Sequence, residues 1–472
     1  MPKRARNRRD KRREDVMATK RIDTRTLIDQ NRFGGYQVSI FLLCFLAMMI
    51  DGYDIQIIGV AAAGIRETLK LEPTTLGVII TAGQLGVMLG ALLLAPFADR
   101  IGRKWLIVVS CLLFGVFSLL TAFATSVPQL IVLRVLAGLG LGSIGPAALA
   151  FGAEYAPKRL KASIPTWIWG AVPVGGMIAG FSAVWLLPRF GWPSLFVVAG
   201  VMPLVFAGLF AGALPESLAF LGARDGNQAR MRKIAARIAP SLPADVQLYT
   251  SEEKLPGVPL KHLFKEGRAV GTVILWILFF LDYGILIFFL SWVPTLVKIA
   301  TGSTTALGTS LAFWNIGSIV LTFVIGRVID KFGYYRVLPT AFVLIALSMW
   351  AIGFTLNAPF WVLLCAITAM GGIAGSTGAA LLALATNSYP LTVRSTGVGA
   401  AYAFGGRVGA LVAPMLGGIL LQMQWTPSAL CYLVGTPMLL GTVLLLFLQR
   451  QPHFRHGPED VLAIEPTPQP SV

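Results

Sequence analysis

The sequence predicts an all-α membrane protein in which twelve spanning helices form two pseudo-symmetric six-helix bundles. Three observations carry that expectation. Of 472 residues, 56% are hydrophobic and only 13% charged, too few charges to cover a soluble chain of this length. Apolar windows of roughly 20 residues, each long enough to cross a hydrocarbon core, recur throughout. The second half of the chain repeats features of the first at a nearly constant spacing.

The windows fall at 36–60, 74–97, 104–124, 128–151, 163–187, 193–214, 269–297, 306–329, 336–356, 358–384, 396–421 and 426–449. They divide the chain into a basic arm (1–35), a first six-helix bundle (36–214), a polar linker (215–268), a second bundle (269–449) and a tail (450–472). Pro240, Pro243, Pro256 and Pro259 punctuate the linker, and residues 227–238 within it have the pattern of a short amphipathic helix. Asp99-Arg100-Ile101-Gly102-Arg103, after the second window, is answered by Asp330-Lys331-Phe332-Gly333-Tyr334 after the eighth, an offset of 231. Pro157 and Lys161 are answered by Pro390 and Arg394, an offset of 233, and Asp51 falls opposite Asp282. Internal repeats of this kind predict two bundles facing each other across a central cavity, with a ligand near the bilayer midplane.

The net charge of +17 does not indicate a nucleic-acid partner, because of where it sits. Basic residues crowd the N-terminal arm (Lys3 to Arg13) and alternate loops: Arg100/Arg103/Lys104, Lys158/Arg159/Lys161, Arg230 to Arg237, Arg327/Lys331/Arg336 and Arg394. The loops between them are short and poor in net positive charge. Retention of Lys and Arg on the cytoplasmic side then places both termini inside, in a multi-pass protein of the cytoplasmic (inner) membrane whose partner is the lipid bilayer.

The four cysteines are scattered and show no metal-ligand spacing. His262, His453 and His456 all lie in loops, so carriage of protons through the membrane falls to carboxylates. No phosphate-cradling loop or Ser/His/Asp arrangement is present, which excludes a nucleotide-driven pump and gives no basis for an enzyme or a cofactor. The energy for any transport must come from an ion gradient.

Two carboxylates stand inside the first apolar run, at Asp51-Gly52-Tyr53-Asp54. A charge within a bilayer is costly, so such groups face protein or water and mark ion or substrate pathways. A separation of three places both on nearly one helix face.

Ala95-Pro96-Phe97-Ala98-Asp99-Arg100-Ile101-Gly102-Arg103-Lys104 resembles the cytoplasmic loop signature of the major facilitator superfamily, with Ala95 in place of the usual Gly; the copy beginning at Gly326 keeps it. Asp51-Gly52-Tyr53-Asp54 resembles the signature of the aromatic acid:proton symporters of that superfamily. Agreement extends to the run Arg134 to Gly142, to Glu154-Tyr155-Ala156-Pro157, to Trp292-Val293-Pro294 and to Gly406-Arg407-Val408-Gly409. The resemblance spans roughly residues 36–450 and implies the major facilitator fold. It also implies import of a small aromatic carboxylate with protons, by a monomer. Asp99, Arg100, Gly102, Arg103, Asp330 and Gly333 are then expected to gate the cytoplasmic side, with an Asp capping a helix N-terminus across the two halves.

Depth along the helices, at 1.5 Å per residue, brings Asp54 level with Arg134 and Asp282 level with Arg407. Each half is thus expected to hold one acid–base pair near mid-membrane. Asp51, Asp54 and Asp282 are the candidate proton carriers. Arg134 and Arg407 are the candidate carboxylate ligands, since a guanidinium binds a carboxylate bidentately. A substrate that draws an arginine away frees its Asp to take a proton. For an aromatic ring, Trp167, Trp314 and Tyr402 offer faces, and Asn315 a hydrogen-bonding group. Competing readings are an exporter of the same fold, an importer of another organic anion such as a sugar acid or dicarboxylate, and a membrane sensor using the long linker.

Overall fold

The computed structural model describes residues 21–160, 163–222, 228–240, 242, 246–250, 260–265, 267–389 and 394–451. The basic residues from Lys3 to Arg13, Lys161, Pro390 and the tail beyond Gln451 lie outside the described residues, as do the side chains of Asp99 and Arg394.

Twelve helices are long and apolar enough to cross a membrane. In chain order they are span 1 (Gly35–Leu69), span 2 (Pro73–Phe97), span 3 (Arg103–Thr121), span 4 (Val127–Tyr155), span 5 (Ser163–Phe190), span 6 (Pro193–Ala213), span 7 (Ala269–Thr301), span 8 (Thr304–Phe332), span 9 (Tyr334–Thr355), span 10 (Phe360–Ser388), span 11 (Thr396–Gln422) and span 12 (Pro427–Leu448). We call the side where span 1 begins and span 12 ends the terminal face, and the other the distal face. Spans 2, 4, 6 and 12 all start at the distal face with a proline in their first two positions, where its missing N–H costs nothing.

Span 1 runs to Leu69, well past the apolar window that ends at 60. The segment Ala61–Leu69 is rich in helix formers, so the helix continues beyond the apolar core and stops only at Lys70, in the left-handed conformation (φ 51°). At the terminal face, spans 2 and 3 are joined through Gly102 (φ 93°, ψ 153°) and spans 8 and 9 through Gly333 (φ 79°, ψ 157°). Only glycine takes this conformation cheaply. The two matching turns are the geometric form of the repeat seen in the sequence.

Small residues fix the packing inside each half. Gly86 and Gly90 of span 2 abut the backbone of Val135 and Leu139 in span 4, while Gly138 and Gly142 of span 4 abut span 2 in return. Side chains at these positions would force the helices apart. Gly405 and Gly409 bring span 11 equally close to Trp276 and Phe280 of span 7.

The halves meet through spans 2 and 11, spans 5 and 8, and spans 1 and 7. Gly418 of span 11 lies against the backbone of Pro73, and Gly180 of span 5 against that of Ala312. Polar contacts across the halves run from mid-membrane to the distal face: Gln56 with Asn315, Thr81 Oγ1 donating to Leu411 O at 3.3 Å, Gln422 to Glu72 at 3.1 Å, and an ion pair between Lys298 and Glu67 at 2.6 Å. Leu92 and Leu93 of span 2 and Phe323 and Val324 of span 8, toward the terminal face, are exposed.

The linker holds the expected amphipathic helix at Gln228–Ile238, which buries Met231, Ala235 and Ile238. One feature departs from an all-α chain. Arg21–Asp23 pairs in parallel with Gln247–Tyr249 of the linker. The segment 21–33 is therefore not a free arm. Arg25 donates to the carbonyls of Ala153 and Glu154 at the end of span 4, and Asp29 accepts from the Lys158 N–H at 2.7 Å.

Candidate functional site

Asp54 and Arg134 meet as the sequence led us to expect. Arg134 Nη1 and Nη2 donate to Asp54 Oδ1 and Oδ2, both at 2.9 Å, a bidentate pair between spans 1 and 4. Asp54 is 2% and Arg134 3% exposed. Gly83 of span 2 lies against the guanidinium: a Cβ there would stand 3.4 Å from Nε and Nη2, an ordinary contact distance. Phe196 of span 6 lies beneath it, 5.6 Å from ring centre to Cζ. A buried pair with this geometry keeps both charges affordable, and removing one partner strands the other.

The second expected pair does not form. Asp282 of span 7 is 2% exposed, and neither carboxylate oxygen has a hydrogen-bond partner among the described residues. Its Oδ2 points at Gly378 of span 10, where a Cβ would stand only 3.1 Å away. Arg407 lies within electrostatic range of half-buried Asp51 in the other half. Residues Ala401–Gly406 of span 11 form a π-helical turn immediately before Arg407, and such a turn rotates the side chains after it out of the ordinary helical phase.

Around Arg407 stand two tyrosines. Its Cζ lies 5.0 Å from the Tyr402 ring centre, within cation–π range. Tyr402 in turn meets the Tyr283 ring edge-on at 5.2 Å and 88°. Tyr283 rests on Gly406 and lies in the electrostatic field of both Asp282 and Arg407. The cluster therefore holds two carboxylates (Asp51, Asp54) against two guanidiniums, drawn from both halves.

The remaining ligand candidates sit elsewhere. Asn315 is 1% exposed and engaged: it accepts from Gln56 Nε2 at 2.9 Å and donates to Gln56 Oε1 at 2.6 Å and to Leu311 O at 2.7 Å. Trp314 is packed against Phe289 of span 7, ring centres 3.8 Å apart at 23°. Trp167 is exposed and stands edge-on to Phe41. Phe41 precedes Asp54 by thirteen residues, about 20 Å along span 1, so Trp167 does not reach Asp54. Gln56 and Tyr283 were missed. Each is a polar group in an apolar run, close to a carboxylate that was singled out, and that signal was available.

Comparison with known proteins agrees with this architecture. The Major Facilitator Superfamily profile matches residues 44–304 and 275–467. A 4-hydroxybenzoate transporter, PcaK, of Pseudomonas aeruginosa is 32% identical over 91% of this chain and 96% of its own length. The chain belongs to the Major Facilitator Superfamily. Within the superfamily it groups with the aromatic acid transporters. A gallate transporter of Pseudomonas putida is 31% identical over 90% of this chain and 94% of its own. The fold matches the xylose transporter XylE of E. coli in an inward-open conformation (TM-score 0.71, 18% identity, covering 88% of this chain and 96% of that one). Transporters of this superfamily are not enzymes, and this chain is a multi-pass membrane transporter.

Within the superfamily frame, the signature loop is engaged inside the first half. Arg103 is ion-paired with Glu154 of span 4, and Ser217 donates to the same carboxylate at 2.5 Å. Glu216, just past span 6, accepts from the N–H groups of Lys104 (3.3 Å) and Ser217 (2.9 Å). Burial pushes its carboxyl above the usual range, against those N–H groups, which pull it down. In the second half, Asp330 is exposed.

Proposed function

We propose that the protein imports a small aromatic carboxylate together with protons, by alternating access. The observation that carries the reading is one guanidinium from each half within reach of a first-half carboxylate: Arg134 is held by Asp54, and Arg407 lies within electrostatic range of Asp51. An entering carboxylate competes with Asp51 or Asp54 for an arginine. The displaced aspartate, left without a cation, takes a proton, so the anion and the proton enter together. With two acids already facing two cations, a further anion without a proton would leave the site with a net negative charge. Tyr402 and Tyr283 offer ring faces beside Arg407, and Asp282 offers a third acid for the return of the empty carrier. The 4-hydroxybenzoate, gallate and benzoate specificities in the names of the relatives support the aromatic class.

Contacts between the halves are concentrated from mid-membrane to the distal face, which supports a conformation open toward the terminal face. With the Lys/Arg distribution, that face is the cytoplasmic one. The signature loops with Asp99, Arg100, Gly102 and Arg103, and with Asp330 and Gly333, would then close that face in the other half of the cycle. We further infer that the transporter is a monomer in the inner membrane.

The test is uptake of labelled benzoate, 4-hydroxybenzoate and gallate by cells expressing the chain, with and without an uncoupler. Accumulation that collapses with the uncoupler is expected. Accumulation indifferent to the uncoupler would remove the proton, and competition by sugar acids but not benzoates would remove the aromatic ring.

A further inference from the structure

A cavity of about 670 Å³ opens at the terminal face, outside the charged cluster. Its walls come from the first turns of spans 1 and 3 (Tyr36, Trp105), the end of span 6 and the linker helix Gln228–Ile238. This is the level at which three spans leave the apolar core. Arg230, Lys233 and Arg237 succeed one another at helical spacing on the face of the linker helix opposite its buried Met231 and Ala235, and Lys104 faces them from span 3. Arg237 lies over the Tyr36 ring at 5.3 Å and Lys104 over Trp105 at 5.7 Å. Among the described residues none of the four is in an ion pair. Among the described lining residues the one carboxylate, Glu216, is turned to the backbone N–H groups of Lys104 and Ser217.

Four cations gathered around a cavity call for a phosphate-bearing anion. Two sources share that chemistry: free phosphate and a lipid headgroup. The lower wall decides between them. Ile101 and Trp105 are exposed apolar groups at the rim. Along span 6 below it, Gly208 and Gly212 have open space where a Cβ would stand. Their spacing of four puts them on one helix face, leaving a groove that runs from the cations down into the bilayer. A free anion has no use for such a groove, whereas an acyl chain does.

We propose that this cavity is a binding site for an anionic phospholipid, its phosphodiester held by Lys104, Arg230, Lys233 and Arg237 and a chain laid along Gly208 and Gly212. The site ties the linker helix to the membrane surface beside spans 1, 3 and 6. Juxtamembrane Lys and Arg each gain from such a headgroup, and the aromatic pair supplies an interfacial anchor.

The experiment uses the purified full chain. Thermal unfolding and native mass spectrometry are read with phosphatidylglycerol, with phosphatidylcholine and with inorganic phosphate. Phosphatidylglycerol is expected to remain bound and to raise the unfolding temperature, and the other two are not. K104Q/R230Q/K233Q/R237Q is expected to weaken apparent phosphatidylglycerol affinity at least about tenfold, the loss of several charge-assisted contacts. G208L/G212L, which fills the groove and keeps every charge, is expected to weaken it as well. Equal response to phosphatidylcholine, or full retention of phosphatidylglycerol by the charge variant, would overturn the proposal. Stabilisation by inorganic phosphate that survives G208L/G212L would also overturn it, in favour of a free-phosphate site.

Discussion

The two halves begin from the same sequence idea, a carboxylate in an apolar run, and arrive at different chemistry. In the first half Asp54 is clamped bidentately by Arg134. In the second, Asp282 is equally buried but has no hydrogen-bond partner among the described residues, and Arg407 lies within electrostatic range of Asp51 in the other half. The repeat fixes the depth at which charged groups stand; it does not fix which of them pair. The difference leaves one half with a satisfied ion pair and the other with a buried acid that has no hydrogen-bond partner among the described residues.

The comparison can be broken most sharply at Asp54. Asp54→Ala strands a buried guanidinium and is expected to cost about 3–5 kcal/mol, visible as a large drop in unfolding temperature, with uptake abolished. Asp282→Asn is the matched experiment in the other half. It replaces a buried acid that no described residue hydrogen-bonds with an amide of the same shape, so unfolding temperature should hold or rise. Proton-driven accumulation should fall at least about tenfold, while exchange of labelled for unlabelled substrate across the membrane persists. A destabilisation as large as that of Asp54→Ala would erase the distinction between the halves.

Smaller effects sharpen it. Gln56→Ala leaves the buried Asn315 amide without its cross-half partner and should cost about 1–3 kcal/mol. The loss falls on the distal contact, so a cysteine placed near Glu67 should become more reactive to an external thiol reagent; unchanged labelling would argue that the amide pair does not hold that face shut. Tyr402→Leu removes the ring beside Arg407 and should raise KM about two- to fivefold, equivalent to about 0.5–1 kcal/mol. Trp167→Phe, at a position remote from the cluster, should leave KM within about twofold.

The fold was legible because length and apolarity alone decide what crosses a membrane, and because Gly102 and Gly333 mark the same turn twice. Asp54 and Arg134 were legible because helical rise converts residue number into depth. Depth says nothing about rotation, however, which is why Asp282 and Arg407 were paired on paper and are not paired in the molecule. For Asn315 the sequence allows a ligand group or a helix–helix hydrogen bond; its bonds to Gln56, 259 positions earlier, are of the second kind. The three-residue pairing of Arg21–Asp23 with Gln247–Tyr249 is too short to leave any alternation in the sequence.

The six residues Ala401–Gly406 accommodate one more residue than an ordinary helical path of that length would. A helical wheel drawn through span 11 therefore goes out of phase there, by about 100°. Any assignment of inward and outward positions beyond Gly406, whether for Arg407, Val408 or Val412, must be counted afresh from the far side of that extra residue.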